Sequence, residues 1–201
     1  MIKEPDQLFK LIGQTDIYLL DQIMKGRYQS DEKILDAGCG SGRNMKWFLQ
    51  NDFDIYGIDT SEAAIMQLQK LNTKLASKQL QVAALEKIPF DNNFFDHVIC
   101  SAVLHFANNV IHFNEMFSEL LRVLKSGGTL FIRMASDIGI EKQVELLSDG
   151  NYKIPDGSMR FLLTKPLLEE IKSEFQFSFL EPLKTVNVND IRCMSTLMLQ
   201  K

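Results

Sequence analysis

Cysteine is scarce in this chain: three in 201 residues, at Cys39, Cys100 and Cys193. They stand far apart and form no Cys-x-x-Cys pair, so neither a metal site nor a disulfide framework is expected. A reducing, cytoplasmic compartment is the expected one. Positive charge is short as well. Twenty-two Lys and Arg face 26 Asp and Glu, a formal net charge of −4. Proteins that hold nucleic acid draw affinity from clustered Lys and Arg, and no dense basic run is present. Lys70, Lys74 and Lys78 are spaced as a solvated helix face and its exit. A nucleic-acid partner is therefore disfavoured. No apolar run approaches the ~20 residues of a membrane helix. Met1 to Asp6 contain no basic region followed by an apolar one, so no secretory leader is expected. Repeats, low-complexity tracts and linkers are absent, and the length suits one domain with a sizeable core.

What is present is an alternation of strand-like and helix-like segments. Residues 7–28 carry apolar positions at mostly helical spacing, interrupted near Gly13, which predicts one broken helix or two. Strands are expected at 33–37, 54–58, 79–84, 95–101 and 128–134, and helices at 43–50, 61–73 and 110–124. Such alternation argues for a parallel sheet covered on both faces. Val98-Ile99-Cys100 and Leu130-Phe131-Ile132 are continuous apolar runs, as doubly buried strands require. The helix over 110–124 has an apolar stripe through Val110, Phe113, Phe117, Leu120, Leu121 and Leu124, with Gly127-Gly128 expected to stop it. Residues 135–160 break the pattern with turn chemistry at Ser148-Asp149-Gly150-Asn151 and Pro155-Asp156-Gly157-Ser158. A helix over 164–174 follows. Strand-like runs over 175–184 and 191–199, with a turn at 187–190, close the chain.

The chemistry concentrates in Ile34-Leu35-Asp36-Ala37-Gly38-Cys39-Gly40-Ser41-Gly42-Arg43-Asn44. An apolar strand ends in an acid and runs into three alternating glycines, which permit positive φ and close approach of backbone to a ligand. A helix is expected to open near Gly42 or Arg43. A dinucleotide fingerprint wants a third glycine three residues after the second. That position is Arg43, and the glycine comes early, at Gly42, which counts against a dehydrogenase. Downstream, Asp54 to Asp59 reads as a short strand ending in an acid, with Thr60 after it. Asp59 stands where doubly wound folds place a carboxylate for a ribose diol. Its plain alternative is an acid at a helix start.

The Asp-x-Gly-x-Gly-x-Gly spacing resembles motif I of the class I S-adenosylmethionine (SAM) methyltransferases. Ala83 to Phe90 resembles the family segment that lines the adenine, Phe95 to Ser101 its fourth strand, and Leu121 to Ile132 its helix–Gly-Gly–fifth-strand junction. The resemblance covers residues 30–135 well. It implies an α/β, doubly wound, mostly parallel seven-stranded sheet with an antiparallel C-terminal hairpin and helices on both faces. It divides one domain, 1–201, into a helical cap (1–30), a SAM-binding core (31–135) and a substrate-side segment with the hairpin (136–201). SAM is the implied cofactor, held by Asp36, Gly38, Cys39, Gly40, Asp59, Thr60, Ala84, Leu85 and Ser101. Many members carry an acid where this chain has Ala84, which shifts adenine recognition to backbone groups around Leu85. Tyr18 either covers the cofactor as family lid aromatics do or packs in the core.

Methyl transfer is an in-line displacement in which the cofactor supplies the electrophile. The protein chiefly aligns the reactants, so no catalytic triad is required and none is visible. His105 follows the fourth strand and is the best-placed titratable group, as base or as a structural hydrogen-bond partner. His97 and His112 read as structural. Arg43, Arg133 and Arg160 are candidates for holding an anionic substrate, with surface pairing as the alternative for the latter two. The expected activity is SAM-dependent methylation of a small molecule. A protein or tRNA methyltransferase and a non-catalytic SAM-binding regulator are the alternatives. The methyl acceptor and the oligomeric state are not legible.

Overall fold

The computed structural model describes residues 5–72 and 75–201. The expectations for Lys74, for the last residue of the 61–73 helix and for most of the segment Met1 to Asp6 fall outside the described residues. The elements are α1 (Pro5–Ile12), α2 (Ile17–Met24), β1 (Lys33–Ala37), α3 (Lys46–Gln50), β2 (Asp54–Asp59), α4 (Glu62–Leu71), β3 (Leu80–Val82), β4 (Phe95–Ser101), α5 (Val110–Val123) and β5 (Leu124–Ser136). After them come β6 (Glu145–Ser148), β7 (Asn151–Lys153), β8 (Met159–Phe161), α6 (Lys165–Glu174), β9 (Ser178–Phe179), β10 (Lys184–Val188) and β11 (Arg192–Gln200).

The main sheet runs β10-β11-β5-β4-β1-β2-β3, with β9 pairing the far end of β11. β1 to β5 pair in parallel, and β11 is antiparallel to both β5 and β10. The expected seven strands with an antiparallel hairpin are there, and β9 is an additional short one. Successive residues of the central strands feed opposite cores. Leu35, Val98, Leu130 and Ile132 pack with α5 and α6, while Ile34, Ile99 and Phe131 pack with α2, α3 and α4. That alternation is why these strands read as unbroken apolar runs. Gly13 separates α1 from α2, as its position predicts. Among the described residues no helix is long and apolar enough to cross a membrane.

Several local expectations need correction. The helix after the glycines starts only at Lys46, and residues 40–45 are turns. Gly127-Gly128 does not stop α5. The helix passes straight into β5 at Leu124, and the glycines lie inside that strand beside a register shift between Phe95 and His97. Residues 135–160 hold a separate three-stranded sheet, β6-β7-β8, whose two turns fall at the predicted turn sequences. The 175–184 run is a strand only at Ser178–Phe179 and at Lys184, where β10 begins. Pro182, which has no N–H to give a ladder, lies in the break before β10. The final turn narrows to Asn189 and Asp190, both left-handed.

Candidate active site

The sheet order reverses at β1. The chain leaves it toward β2 and β3 on one side and returns through β4 and β5 on the other. In such sheets the crevice outside the carboxyl ends of the two central strands binds ligand. Asp36 lies next to Gly57 of β2 and Ile99 of β4 and is 1% exposed. Neither of its carboxylate oxygens has a hydrogen-bond partner. Burial pushes its carboxyl up to about 7; the Arg43 charge opposes that rise and the Asp59 charge adds to it. A buried, unpartnered carboxylate is costly, and it marks a place for a donor or a cation.

The backbone above Asp36 is pinned. The N–H groups of Gly38 and Cys39 both donate to the carbonyl of Ile58, at 2.8 and 2.9 Å. Gly38 has φ +82°, and a Cβ there would run into Val103. Gly40 has φ +50°, and a Cβ there would meet only Asp59 Oδ2, at 3.9 Å, so its outer side is open. Asp59 braces the loop: Oδ2 accepts from Gly40 N–H and Oδ1 from Ser61 N–H, each at 2.8 Å. Each carboxylate oxygen retains a lone pair for a hydroxyl. Thr60 is exposed beside it. The side chains of Cys39 and Leu85 are buried in the two cores, so both residues offer backbone only. Ala84 precedes the short turn 85–87 in an extended conformation, without a side-chain cap.

A strap from the N-terminus closes one end of the crevice. Asp16, 3% exposed, caps α2 through Tyr18 N–H at 2.9 Å. Its own N–H donates to Asn44 Oδ1 at 3.0 Å. Its Oδ2 accepts from Arg133 at 2.8 Å and from the Ser101 hydroxyl at 3.4 Å. Arg43 donates to the same hydroxyl at 3.4 Å. The Arg133 guanidinium lies 5.2 Å from the centre of the Tyr18 ring. Ala102, after Ser101, is left-handed (φ +64°) and turns the chain away from the crevice. A cleft of about 740 Å³ is lined by Ser41, Gly42 and Arg43 of the loop together with Phe9, Lys46, Leu68 and Asn72; Asp36, Asp59 and Ser101 do not line it.

Residues 35–132 match the family model described as a methyltransferase domain. The chain carries a class I methyltransferase domain. The methyltransferase YodH of Bacillus subtilis is 29% identical over 123 residues, 59% of this chain and 47% of that protein. A malonyl-[acyl-carrier protein] O-methyltransferase of Salmonella typhimurium is 28% identical over 97 residues, 48% of this chain and 36% of the relative. The chain thus spans half or less of these relatives' length. Across the whole fold, a SAM-dependent methyltransferase of Methanosarcina mazei superposes with a TM-score of 0.69 at 20% identity, over 89% of this chain and 96% of the other. The family and these neighbours imply SAM as cofactor.

The remaining expected positions of this methyltransferase domain divide into two groups. Tyr18, Arg43, Ser101 and Arg133 meet at the strap. His105 and Arg160 sit farther along the rim. His105 is 8% exposed, and its Nδ1 accepts the Ala135 N–H at 3.3 Å. Burial, reinforced by the Arg160 charge, lowers the ring to about 4. The ring is neutral with its proton on Nε2, so it can donate but has no nitrogen free to act as a base. Arg160 lies 5.2 Å from the Phe106 ring centre and donates to the carbonyl of Met159. Sequence reasoning missed Asp16 and Asn44 as the joint of the strap. Asp16 before an apolar helix is a visible cap signal, but its long-range partners carry none.

Proposed function

We propose that this protein transfers a methyl group from SAM to a small-molecule acceptor. The observation that carries the reading is Asp36, a buried carboxylate with two unpartnered oxygens beneath an open glycine loop. The residues fit the cofactor group by group. Asp36 suits the ammonium of its amino-acid end. The open backbone at Gly40 lets that end approach closely, and Asp59 suits the ribose hydroxyls. Backbone groups at Ala84 and Leu85 take the adenine edge. When bound, SAM supplies an activated methyl group. The chain's own work is to hold the acceptor in line with it and keep water out. The relative named for O-methylation of malonyl-[acyl-carrier protein] supports a small acceptor.

Titration calorimetry with S-adenosylhomocysteine tests the cradle. Wild type binds it and does not bind NAD. Asp59→Ala weakens binding at least tenfold, the order expected for charged hydrogen bonds of about 1.5–3 kcal/mol. Binding of NAD in place of the SAM product sinks the reading.

A further inference from the structure

Among the described residues at the strap and at His105, none of the side chains that could take a proton is free; Asp137, which keeps one buried oxygen unpartnered, lies beyond the strap beside Glu141 and Lys165. His105 gives its basic nitrogen to Ala135. Asp16 is engaged by Arg133, Ser101 and the Tyr18 N–H, and Asp59 by Gly40 and Ser61. Asp36 lies on the floor beneath the loop, where the proposed function assigns it to the cofactor's ammonium. Cys39 and Cys100 are buried, and burial pushes both thiols up. The Tyr18 ring is stacked against Arg133.

Two arginines there, by contrast, keep donors unused. Arg43 makes one long contact to Ser101 and has no carboxylate at ion-pair distance among the described residues. Arg133 spends NH1 on Asp16, while its Nε is buried and donates to nothing. Arg160 lies beside His105. The cofactor's own carboxylate needs only one guanidinium, and its ammonium and sulfonium add positive charge.

We propose that the acceptor is a carboxylate, methylated on oxygen, which docks on Arg133 and Arg43 beside Ser101. This rests on the methyltransferase reading above. A site without a free base must receive its nucleophile already deprotonated. Near pH 7 a carboxylic acid, at about 4, meets that condition. A phenol, at about 10, and an alkylamine, near 10.4, do not. The arginine fork also matches two carboxylate oxygens and repels an ammonium. In the step, an oxygen lone pair forms the O–C bond to the methyl carbon as the S–C bond breaks. That electron pair stays on sulfur, which becomes a thioether, and no proton moves.

Two measurements test this. The first incubates the protein with SAM carrying a tritiated methyl group and, separately, with the low-molecular-weight, protein and RNA fractions of a cell extract. The expected product releases its label as volatile methanol in alkali. Label that survives alkali overturns the carboxylate assignment. No labelled product from any fraction, with S-adenosylhomocysteine still bound, overturns the transferase reading beneath it. The second is a binding measurement on the S-adenosylhomocysteine complex, by calorimetry with acetate, malonate, octanoate and benzoate against matched amines and phenols. Carboxylates as a class bind at least tenfold tighter. Equal or weaker binding counts against the proposal. Arg43→Gln, which leaves the Asp16–Arg133 pair in place, reduces that preference at least fivefold with S-adenosylhomocysteine affinity within twofold. Loss of S-adenosylhomocysteine affinity instead assigns Arg43 to the cofactor and overturns its place in the proposal.

Discussion

At Asp36 two demands conflict. Stability asks for an apolar or paired side chain on the floor of β1, whereas the crevice holds a carboxylate with nothing bonded to it. Its carboxyl sits at about 7, against 3.8 in an unfolded chain. Between those values the native state keeps a proton that the unfolded chain has released, so stability falls as pH rises from about 4 to 7 and levels off above. At about 1.4 kcal/mol per pH unit, the window is worth on the order of 4 kcal/mol. Asp36→Asn keeps the shape without the titration. Urea unfolding at pH 4.5, 6 and 8 should show the variant gaining on wild type by about 3 kcal/mol across the series. A constant difference contradicts the assignment. Asp36, Gly38, Gly40 and Asp59 were legible because their meaning lies in runs of a few residues. Asp16 was not, since it binds Asn44, Ser101 and Arg133, each far away in sequence. For His105 the position after β4 was readable, but not that Ala135 would occupy its Nδ1.

Elements were legible where period and length agree, and illegible where tertiary partners decide. The stripe of α5 is wide enough to read on its own. β6 to β8 are three or four residues each, and only their Gly-containing turns carry a signal. The segment after β3 shows the same dependence. It has no regular structure beyond one short turn, and α5 holds it in place. Arg122 donates to the carbonyls of Ile88 and Phe90 and to Asn92, at 2.8, 2.9 and 2.8 Å, and to Glu119, which accepts the Ile88 N–H at 2.9 Å. Since this chain has Ala84 and no acid for the adenine, the position of that backbone matters more here. Arg122→Ala should cost about 2 kcal/mol, the order for charge-assisted bonds lost together. It should also speed amide exchange over residues 88–92 and weaken S-adenosylhomocysteine binding. Arg122→Lys should recover little of it, because one ammonium cannot span the planar set of acceptors. Unaltered exchange in Arg122→Ala refutes the clamp.

On the scale of the molecule, the ends of four central strands and the N-terminal strap converge on one crevice. α2 reaches Arg133 through Asp16 and is also tied by Lys25 and Arg27 to Glu181. A ligand that touches the glycine loop, β2 and β4 together stabilises the whole fold, because unfolding any of them releases it. At a hundred times its Kd, such a ligand adds about 2.7 kcal/mol. For a chain of this length that corresponds to roughly 5–10 °C in Tm. S-adenosylhomocysteine should produce this shift, and NAD at the same concentration should not. The affinity loss in Asp59→Ala then has a fixed thermal consequence. A tenfold rise in Kd leaves about 1.4 kcal/mol, half the stabilisation, at unchanged ligand concentration. Scanning calorimetry of both proteins, with and without ligand, measures it directly. If the full shift survives in Asp59→Ala, the ligand is not at the part of the loop that Asp59 braces, and the cleft between Phe9 and Leu68 becomes the place to look.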